Sequence, residues 1–233
     1  MTKMAIAILG GGLMGHGVAQ VFACAGHETC ITDPNAATRD SILARIGANL
    51  DDLGLDRGAL AHVRVCETLE EAVAGAQFIV EAAPEDLALK QALFARVERA
   101  APPDAILASN TSVIPITEVM AQVARKARAL GTHWWNPRTL VPLVEVIRTA
   151  ATSDATAATT LALMASIGKQ PVEVKKDVPG FVGNRLQHAL WREAIALVAD
   201  GVCDAATVDA VVKASFGRRL AVLGPLEIGR AHV

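Results

Sequence analysis

The sequence predicts an α/β fold, a doubly wound and mostly parallel sheet, followed by an incomplete all-α C-terminal domain. Three observations predict it. Short apolar strand-like runs alternate with amphipathic stretches through the first three quarters of the chain. A glycine-rich turn joins the first of these runs to an apolar helix-like stretch. After Asp177-Val178-Pro179-Gly180 only helical patterns follow. Such alternation puts helices on both faces of a parallel sheet. A Pro-Gly pair ahead of a long helix marks a domain boundary. The expected division is 1–178 for the α/β domain and 179–227 for the first part of the helical one.

The first strand is Met4–Leu9. Gly10-Gly11-Gly12-Leu13-Met14-Gly15 follows, then a helix to Gly26 and a second strand, Glu28–Thr32, that ends at Asp33. This is a dinucleotide-binding fingerprint in its proper setting. Gly10 permits a tight turn, Gly12 lets the backbone approach a pyrophosphate, and Gly15 lets helix pack on strand. The helix start offers unpaired N–H groups and a positive dipole end to phosphate. Gly10, Gly12, Leu13, Met14, Gly15 and Asp33 are therefore the expected cofactor contacts. Asp33 is placed to accept from both hydroxyls of the adenine ribose. A 2′-phosphate would meet a like charge there, and Pro34-Asn35-Ala36-Ala37 supply no Arg. NAD is favoured over NADP.

Further strands are expected at His62–Val65, Gln77–Val80, Ala105–Ala108, Ala129–His133, Leu143–Ile147 and Pro171–Val174. Asp86–Ala100 reads as a helix, with Leu87, Leu89, Leu93, Phe94 and Val97 apolar, and Ser153–Ile167 as another. Phe181–Asp200 and Ala205–Phe216 are the helices of the last part. A helix pair of about fifty residues can hardly bury a core of its own. The final Ile228-Gly229-Arg230-Ala231-His232-Val233 is what a widely used sequencing-adapter DNA encodes. We read 228–233 as an adapter-derived tail on a truncated reading frame and give His232 no role.

Composition bounds the function. The 233 residues are 52% apolar, with a formal charge of −2. No electrostatic footprint points to nucleic acid or an anionic membrane. Residues 4–27 carry no Asp, Glu, Lys or Arg, but their glycines argue against a membrane span or a signal segment. Cys24, Cys30, Cys66 and Cys203 show no CxxC or metal-ligand spacing. No metal and a cytoplasmic location are expected.

Four polar residues stand out beyond the fingerprint. Ser112 follows a strand in Ala108-Ser109-Asn110-Thr111-Ser112, and His133 ends one in Gly131-Thr132-His133-Trp134-Trp135-Asn136-Pro137. Glu145 lies in the apolar run Leu143-Val144-Glu145-Val146-Ile147, and Asn184 opens the long helix. Ligands of doubly wound sheets bind beyond the carboxyl ends of the strands, where Ser112 and His133 would lie. A carboxylate between two valines needs a partner, and an imidazole is a natural one. An oriented histidine beside NAD takes the proton of an alcohol as hydride leaves. Ser112 and Asn184 are suited to hold the substrate oxygen. On spacing alone, a structural histidine, an edge-strand Glu145 and a helix-start Asn184 stand beside this reading.

The ordered motifs resemble those of 3-hydroxyacyl-CoA dehydrogenases. They are Gly10–Gly15 with Asp33, Ser109-Asn110-Thr111-Ser112, His133-x-x-Asn136-Pro137, Leu143-Val144-Glu145-Val146 and Pro179-Gly180-Phe181-x-x-Asn184-Arg185. The resemblance runs to about Glu227. It implies a Rossmann-like NAD domain and a helical domain that forms a homodimer. It implies His133 as the catalytic acid/base, Glu145 as its partner, and Ser112 and Asn184 as substrate-oxygen contacts. Glu81-Ala82-Ala83-Pro84-Glu85 and Lys90 match a stretch whose acid and lysine touch the cofactor, here Glu85 and Lys90. Asn136 matches a nicotinamide-side contact. The implied reaction is NAD-dependent, reversible oxidation of an L-3-hydroxyacyl-CoA to the 3-oxoacyl form, within fatty acid metabolism.

Two departures bear on substrate. Fatty-acid-oxidising members carry a lysine-rich stretch after the second strand that helps bind CoA. Here that region, Ala48-Asn49-Leu50-Asp51-Asp52-Leu53-Gly54-Leu55-Asp56-Arg57, has three acids and one Arg, which suits CoA phosphates poorly. Leu140-Val141-Pro142-Leu143-Val144-Glu145 looks like relatives that oxidise free hydroxy acids, such as gulonate and carnitine dehydrogenases. The alternative reading is therefore a dehydrogenase of a free short 3-hydroxy acid or sugar acid. Arg138 either holds a substrate carboxylate or is a solvated surface residue, and the second is preferred. A non-catalytic nucleotide-binding protein or an inactive fragment is a further alternative. The joint presence of Ser112, His133, Glu145 and Asn184 argues against lost catalysis.

Overall fold

The computed structural model describes residues 3–230, and of 228–230 the backbone alone. The expected tail at 228–233 thus lies, from residue 231 onward, outside the described residues. The chain forms two compact units that part between Phe181 and Val182.

The first unit is built on one eight-stranded sheet. Its strands are β1 (Ile6–Leu9), β2 (Thr29–Thr32), β3 (Val63–Val65), β4 (Phe78–Glu81), β5 (Ile106–Ser109), β6 (Ala129–Trp134), β7 (Leu143–Ile147) and β8 (Gln170–Val174). They lie in the order β3-β2-β1-β4-β5-β6-β7-β8. β1 to β6 are parallel, β7 runs antiparallel to β6, and β8 is parallel to β7. The order reverses between β1 and β4, and ligands of such sheets bind at that switch point.

The central strands β1, β4, β5 and β6 are buried along their whole length, as parallel strands covered on both faces must be, while the edge strands β3 and β8 are partly exposed. Along β1, Ile6 and Ile8 enter one core with Val18, Phe22, Ile42 and Leu163. Ala7 and Leu9 enter the other, with Ile79, Phe94, Leu107 and Phe181. The first face is covered by α1 (Leu13–Cys24), α2 (Ala36–Asp52) and α6 (Asp154–Ser166). The second is covered by α3 (Leu69–Val73), α4 (Leu87–Ala100) and α5 (Ile116–Val119). Side chains of Asn35, Asp86 and Ser153 cap α2, α4 and α6 by accepting from backbone N–H groups. α1 starts at Gly12, which has no side chain to cap it, so its first N–H groups stay available.

The first unit keeps three residues past the expected boundary at 178. Gly180 N–H donates to the Val113 carbonyl at 3.2 Å, and the Phe181 ring is buried in the second core. Phe181 adopts φ 51°, a left-handed conformation uncommon for a residue with a side chain.

The second unit contains α7 (Gly183–Ala199), α8 (Ala205–Ala214), α9 (Phe216–Leu220) and α10 (Pro225–Arg230). The sequence suggests one helix over Ala205–Phe216, but it breaks at Ser215, whose φ of −123° and ψ of −117° are not helical. None of α7, α8 and α9 contains a fully buried residue. Leu186, Leu190, Trp191, Ile195 and Val198 leave an exposed apolar stripe along α7.

Candidate active site

The antiparallel pairing of β6 with β7 sets His133 directly opposite Glu145. Register therefore does what spacing alone left open. His133 Nδ1 lies 2.7 Å from Glu145 Oε2, with the side chains 4% and 1% exposed. A carboxylate accepts, so Nδ1 carries the proton and Nε2 is the atom left for proton exchange. The rings of Trp135 and Phe181 flank the imidazole at centroid distances of 5.2 and 5.5 Å. Neither aromatic was singled out from the sequence, since each sits in an apolar motif that reads equally well as core.

Ser112 sits in the turn after β5, at the carboxyl end of the parallel strands, and Glu85 holds that turn. Its Oε1 accepts from the N–H of Ser112 at 3.0 Å and of Val113 at 3.2 Å, and from the Thr111 hydroxyl. Burial pushes the Glu85 carboxyl up. The Thr111 hydroxyl, the Lys90 ammonium and the two N–H groups outweigh it, so the acid sits below its ordinary range. Lys90 is buried at 1% exposure, with Nζ 2.6 Å from Glu81 Oε1, 3.1 Å from the Ala83 carbonyl and 3.4 Å from Glu85 Oε2. Ser109 Oγ donates to the other oxygen of Glu81 at 2.6 Å. The structure thus brings Glu85 and Lys90 to the site's edge as the frame of the Ser112 turn. Glu81 completes that frame. A carboxylate ending the apolar run Phe78-Ile79-Val80 was the available signal for it.

The fingerprint glycines have separate jobs. Gly10 has φ 107°, and a Cβ there would stand 2.6 Å from the Ala82 carbonyl oxygen. A Cβ at Gly15 would stand 1.7 Å from the Gly10 carbonyl oxygen. At Gly12 a Cβ would meet nothing within 4 Å. No contact within the protein requires that glycine. The space it leaves clear lies at the uncapped start of α1, by Leu13 and Met14, as a bound pyrophosphate needs. Asp33 stands at the end of β2, where its Oδ2 accepts from Gly11 N–H at 2.8 Å and its Oδ1 from Asn35 N–H at 2.9 Å. The residues present fit NAD. One nearby cation escaped the sequence reading: Arg39 folds back to the Asp33 carbonyl at 2.8 Å.

Arg138 corrects an expectation. It is not a solvated surface residue but 6% exposed. It packs on α1 where Gly17 has no side chain: a Cβ there would lie 1.8 Å from Arg138 Nε. Its Nη1 donates to Asn136 Oδ1 at 3.0 Å and its Nη2 lies 3.3 Å from His16 Nε2. Asn136 is thereby held near Met14, whose sulfur is 3.9 Å from Nη1. Burial, then the neighbouring Arg45, lower the pKa of the Arg138 guanidinium. Asn184 lies in the first turn of α7, in the second unit.

Among the described residues, no group of three or more His, Cys, Asp or Glu could hold a metal ion. No described helix is long and apolar enough to cross a membrane.

Comparison with known proteins shows the family. Residues 5–178 match the family described as 3-hydroxyacyl-CoA dehydrogenase, NAD binding domain, and residues 180–230 match its C-terminal domain. The L-carnitine dehydrogenase of Streptomyces griseus is 40% identical, over 98% of this chain and 72% of the relative. A probable 3-hydroxybutyryl-CoA dehydrogenase of Bacillus subtilis is 38% identical, over 96% of this chain and 79% of the relative. The crystal structure of a 5-formyl-3-hydroxy-2-methylpyridine 4-carboxylic acid 5-dehydrogenase, described as an NAD-dependent dismutase, superposes with a TM-score of 0.91. That match has 37% identity and covers all of this chain and 77% of the other. With the switch-point glycines, the buried His–Glu pair and both domain matches in hand, the chain belongs to the 3-hydroxyacyl-CoA dehydrogenase family of NAD-dependent oxidoreductases.

Proposed function

We propose that the chain oxidises the hydroxyl of a free short 3-hydroxy acid or sugar acid to the 3-oxo acid, reversibly. The end of α2 carries this choice over a CoA ester. Asp51, Asp52 and Asp56 are exposed there, and Arg57, the one cation of the stretch, is bonded to Asp51 at 3.1 Å. An exposed acidic patch repels CoA phosphates where the acyl-CoA branch carries lysines. The likeness to an L-carnitine dehydrogenase supports the same choice. The second reading, an L-3-hydroxyacyl-CoA substrate in fatty acid metabolism, draws on the likeness to the Bacillus subtilis relative.

NAD, when bound, supplies the hydride acceptor. His133 Nε2 takes the hydroxyl proton in oxidation and returns it in reduction. Glu145 fixes the imidazole's tautomer and offsets the charge it gains. Ser112, on the turn framed by Glu85 and Lys90, and Asn184 hold the substrate oxygen. Asn136 faces the nicotinamide side, and Asp33 takes the adenine ribose. The full-length protein forms a homodimer through its helical domain, to which the apolar stripe on α7 belongs. The four free cysteines suit a reducing cytoplasm.

The test is NADH consumption with free short 3-oxo acids and, separately, with acetoacetyl-CoA. We expect kcat/KM for a free acid to exceed that for the ester by about tenfold or more, equivalent to roughly 1.4 kcal/mol of transition-state binding. Turnover of the ester alone overturns the proposal in favour of the second reading.

A further inference from the structure

Beneath the phosphate loop lie two arginines that meet no carboxylate. Arg45, on α2, and Arg138, on the β6–β7 connection, form no ion pair among the described residues. The Nε of each is buried without a hydrogen-bond partner. Arg138 is buried and Arg45 half-buried, and holding two like charges there is costly unless an anion compensates.

Their bonds show where the charge is directed. Arg45 Nη2 donates to the Gly11 carbonyl. Arg138 Nη2 lies 3.3 Å from His16 Nε2, and His16 Nδ1 lies 2.7 Å from the Gly12 carbonyl. Nδ1 also lies 3.2 Å from Arg45 Nη1, but the Gly12 carbonyl is closer and only accepts. Nδ1 of His16 therefore carries its proton, the Arg45 approach to it is no hydrogen bond, and Nε2 accepts from Arg138. His16 is buried, and both arginines disfavour its charged form, which keeps it neutral in this relay. Each carbonyl belongs to a peptide whose N–H lies on the other side. The Gly11 carbonyl shares its peptide with Gly12 N–H, and the Gly12 carbonyl with Leu13 N–H. Those two N–H groups open α1, where a helix leaves its donors without internal partners. Donating to a carbonyl polarises the peptide and strengthens its N–H as a donor, and chained bonds add to the effect.

We propose that Arg45 and the Arg138–His16 relay form a cationic back-plate that charges the Gly12 and Leu13 N–H groups for the dinucleotide's pyrophosphate, without either arginine touching the phosphates. The arginines and His16 are thus positioning residues for the cofactor. Gly17 belongs to the device, because only a residue without a side chain lets Arg138 lie against α1. The inference rests on NAD binding and not on the choice of substrate.

The test measures binding by the whole chain, with no turnover. ADP-ribose, which keeps the pyrophosphate but lacks nicotinamide, is titrated by calorimetry. Adenosine, which lacks phosphate, is followed by ligand-observed NMR. We expect Arg45→Met and Arg138→Met each to weaken ADP-ribose by about tenfold while leaving adenosine within about twofold. His16→Leu should match Arg138→Met, and Arg138→Lys should recover part of the loss. Thermal melting without ligand identifies any variant that fails to fold, and Arg45→Met, on α2 and away from the β6–β7 connection, then serves alone. ADP-ribose affinities within twofold of the parent, or equal losses for ADP-ribose and adenosine, would overturn the inference. Failure of the parent chain itself to bind ADP-ribose would instead strike at the cofactor assignment.

Discussion

Glu145 shows how much one buried carboxylate can decide. At 1% exposure it would be costly as an unpaired charge, and the imidazole at 2.7 Å is its partner. Its residue type in the run Leu143-Val144-Glu145-Val146-Ile147 was legible in the sequence. The pairing with His133 was legible through the family resemblance but not from spacing alone, because the register of β6 on β7 is a tertiary fact. Arg138 misled for a related reason. A cation in a loop segment reads as solvated, and nothing local reveals that Gly17, more than a hundred residues earlier, leaves room for it. Glu145→Gln keeps the size and an acceptor but removes the charge that offsets the imidazolium. We expect kcat to fall on the order of 10² or more with little change in NADH affinity, by analogy with the loss seen on neutralising a catalytic triad's acid. Steady-state kinetics beside a binding titration would check it. Undiminished kcat would reduce Glu145 to packing.

At the scale of elements, the strand–turn–helix entry of β1 into α1 was the most legible part of the chain, because each glycine leaves a local mark. The sequence assigned the three glycines their roles, and the structure separates them by cost. Gly15→Ala drives a Cβ into the Gly10 carbonyl oxygen, whereas Gly12→Ala adds one to open space. Gly12 has φ −65°, a value alanine accepts. We expect Gly12→Ala to melt within a few degrees of the parent and to lose about tenfold or more in NADH affinity. Gly15→Ala should lower the melting temperature outright. Scanning calorimetry with a fluorescence titration distinguishes them, and equal melting losses would refute the division. Less legible were α2, α3 and α5, which bury short apolar faces, and the break at Ser215. The alternation that marks strands carries little information about where one helix yields to the next.

Across the whole molecule, the stability of the first unit and the shape of its site share a set of charges. Glu81, Lys90 and Glu85 tie β4, α4 and the turn after β5 together. Glu85 is held below its ordinary range, so its charged form is favoured in the folded chain more than in the unfolded one. Its contribution is present above the unfolded value near about pH 4.5 and is lost as pH falls through the lower folded value. The parent should therefore lose more thermal stability than Glu85→Gln between about pH 5 and pH 3. Parallel losses in thermal melts across that window would remove the turn-holding role. The second unit was legible as helices too few to bury a core, but not in which residues would form the exposed face. The apolar stripe on α7 is plain only once the helix is drawn.

The central claim is that His133 moves the substrate proton while the glycine loop holds NAD. It is tested most directly by the rate of NADH formation from a free short 3-hydroxy acid by the parent chain and by His133→Gln, both saturated with NAD. The account predicts turnover by the parent and a fall of about 10²–10⁴-fold in the variant, with NADH affinity unchanged. A variant as active as the parent, or a parent that binds NAD and turns over neither free acid nor CoA ester, would contradict it.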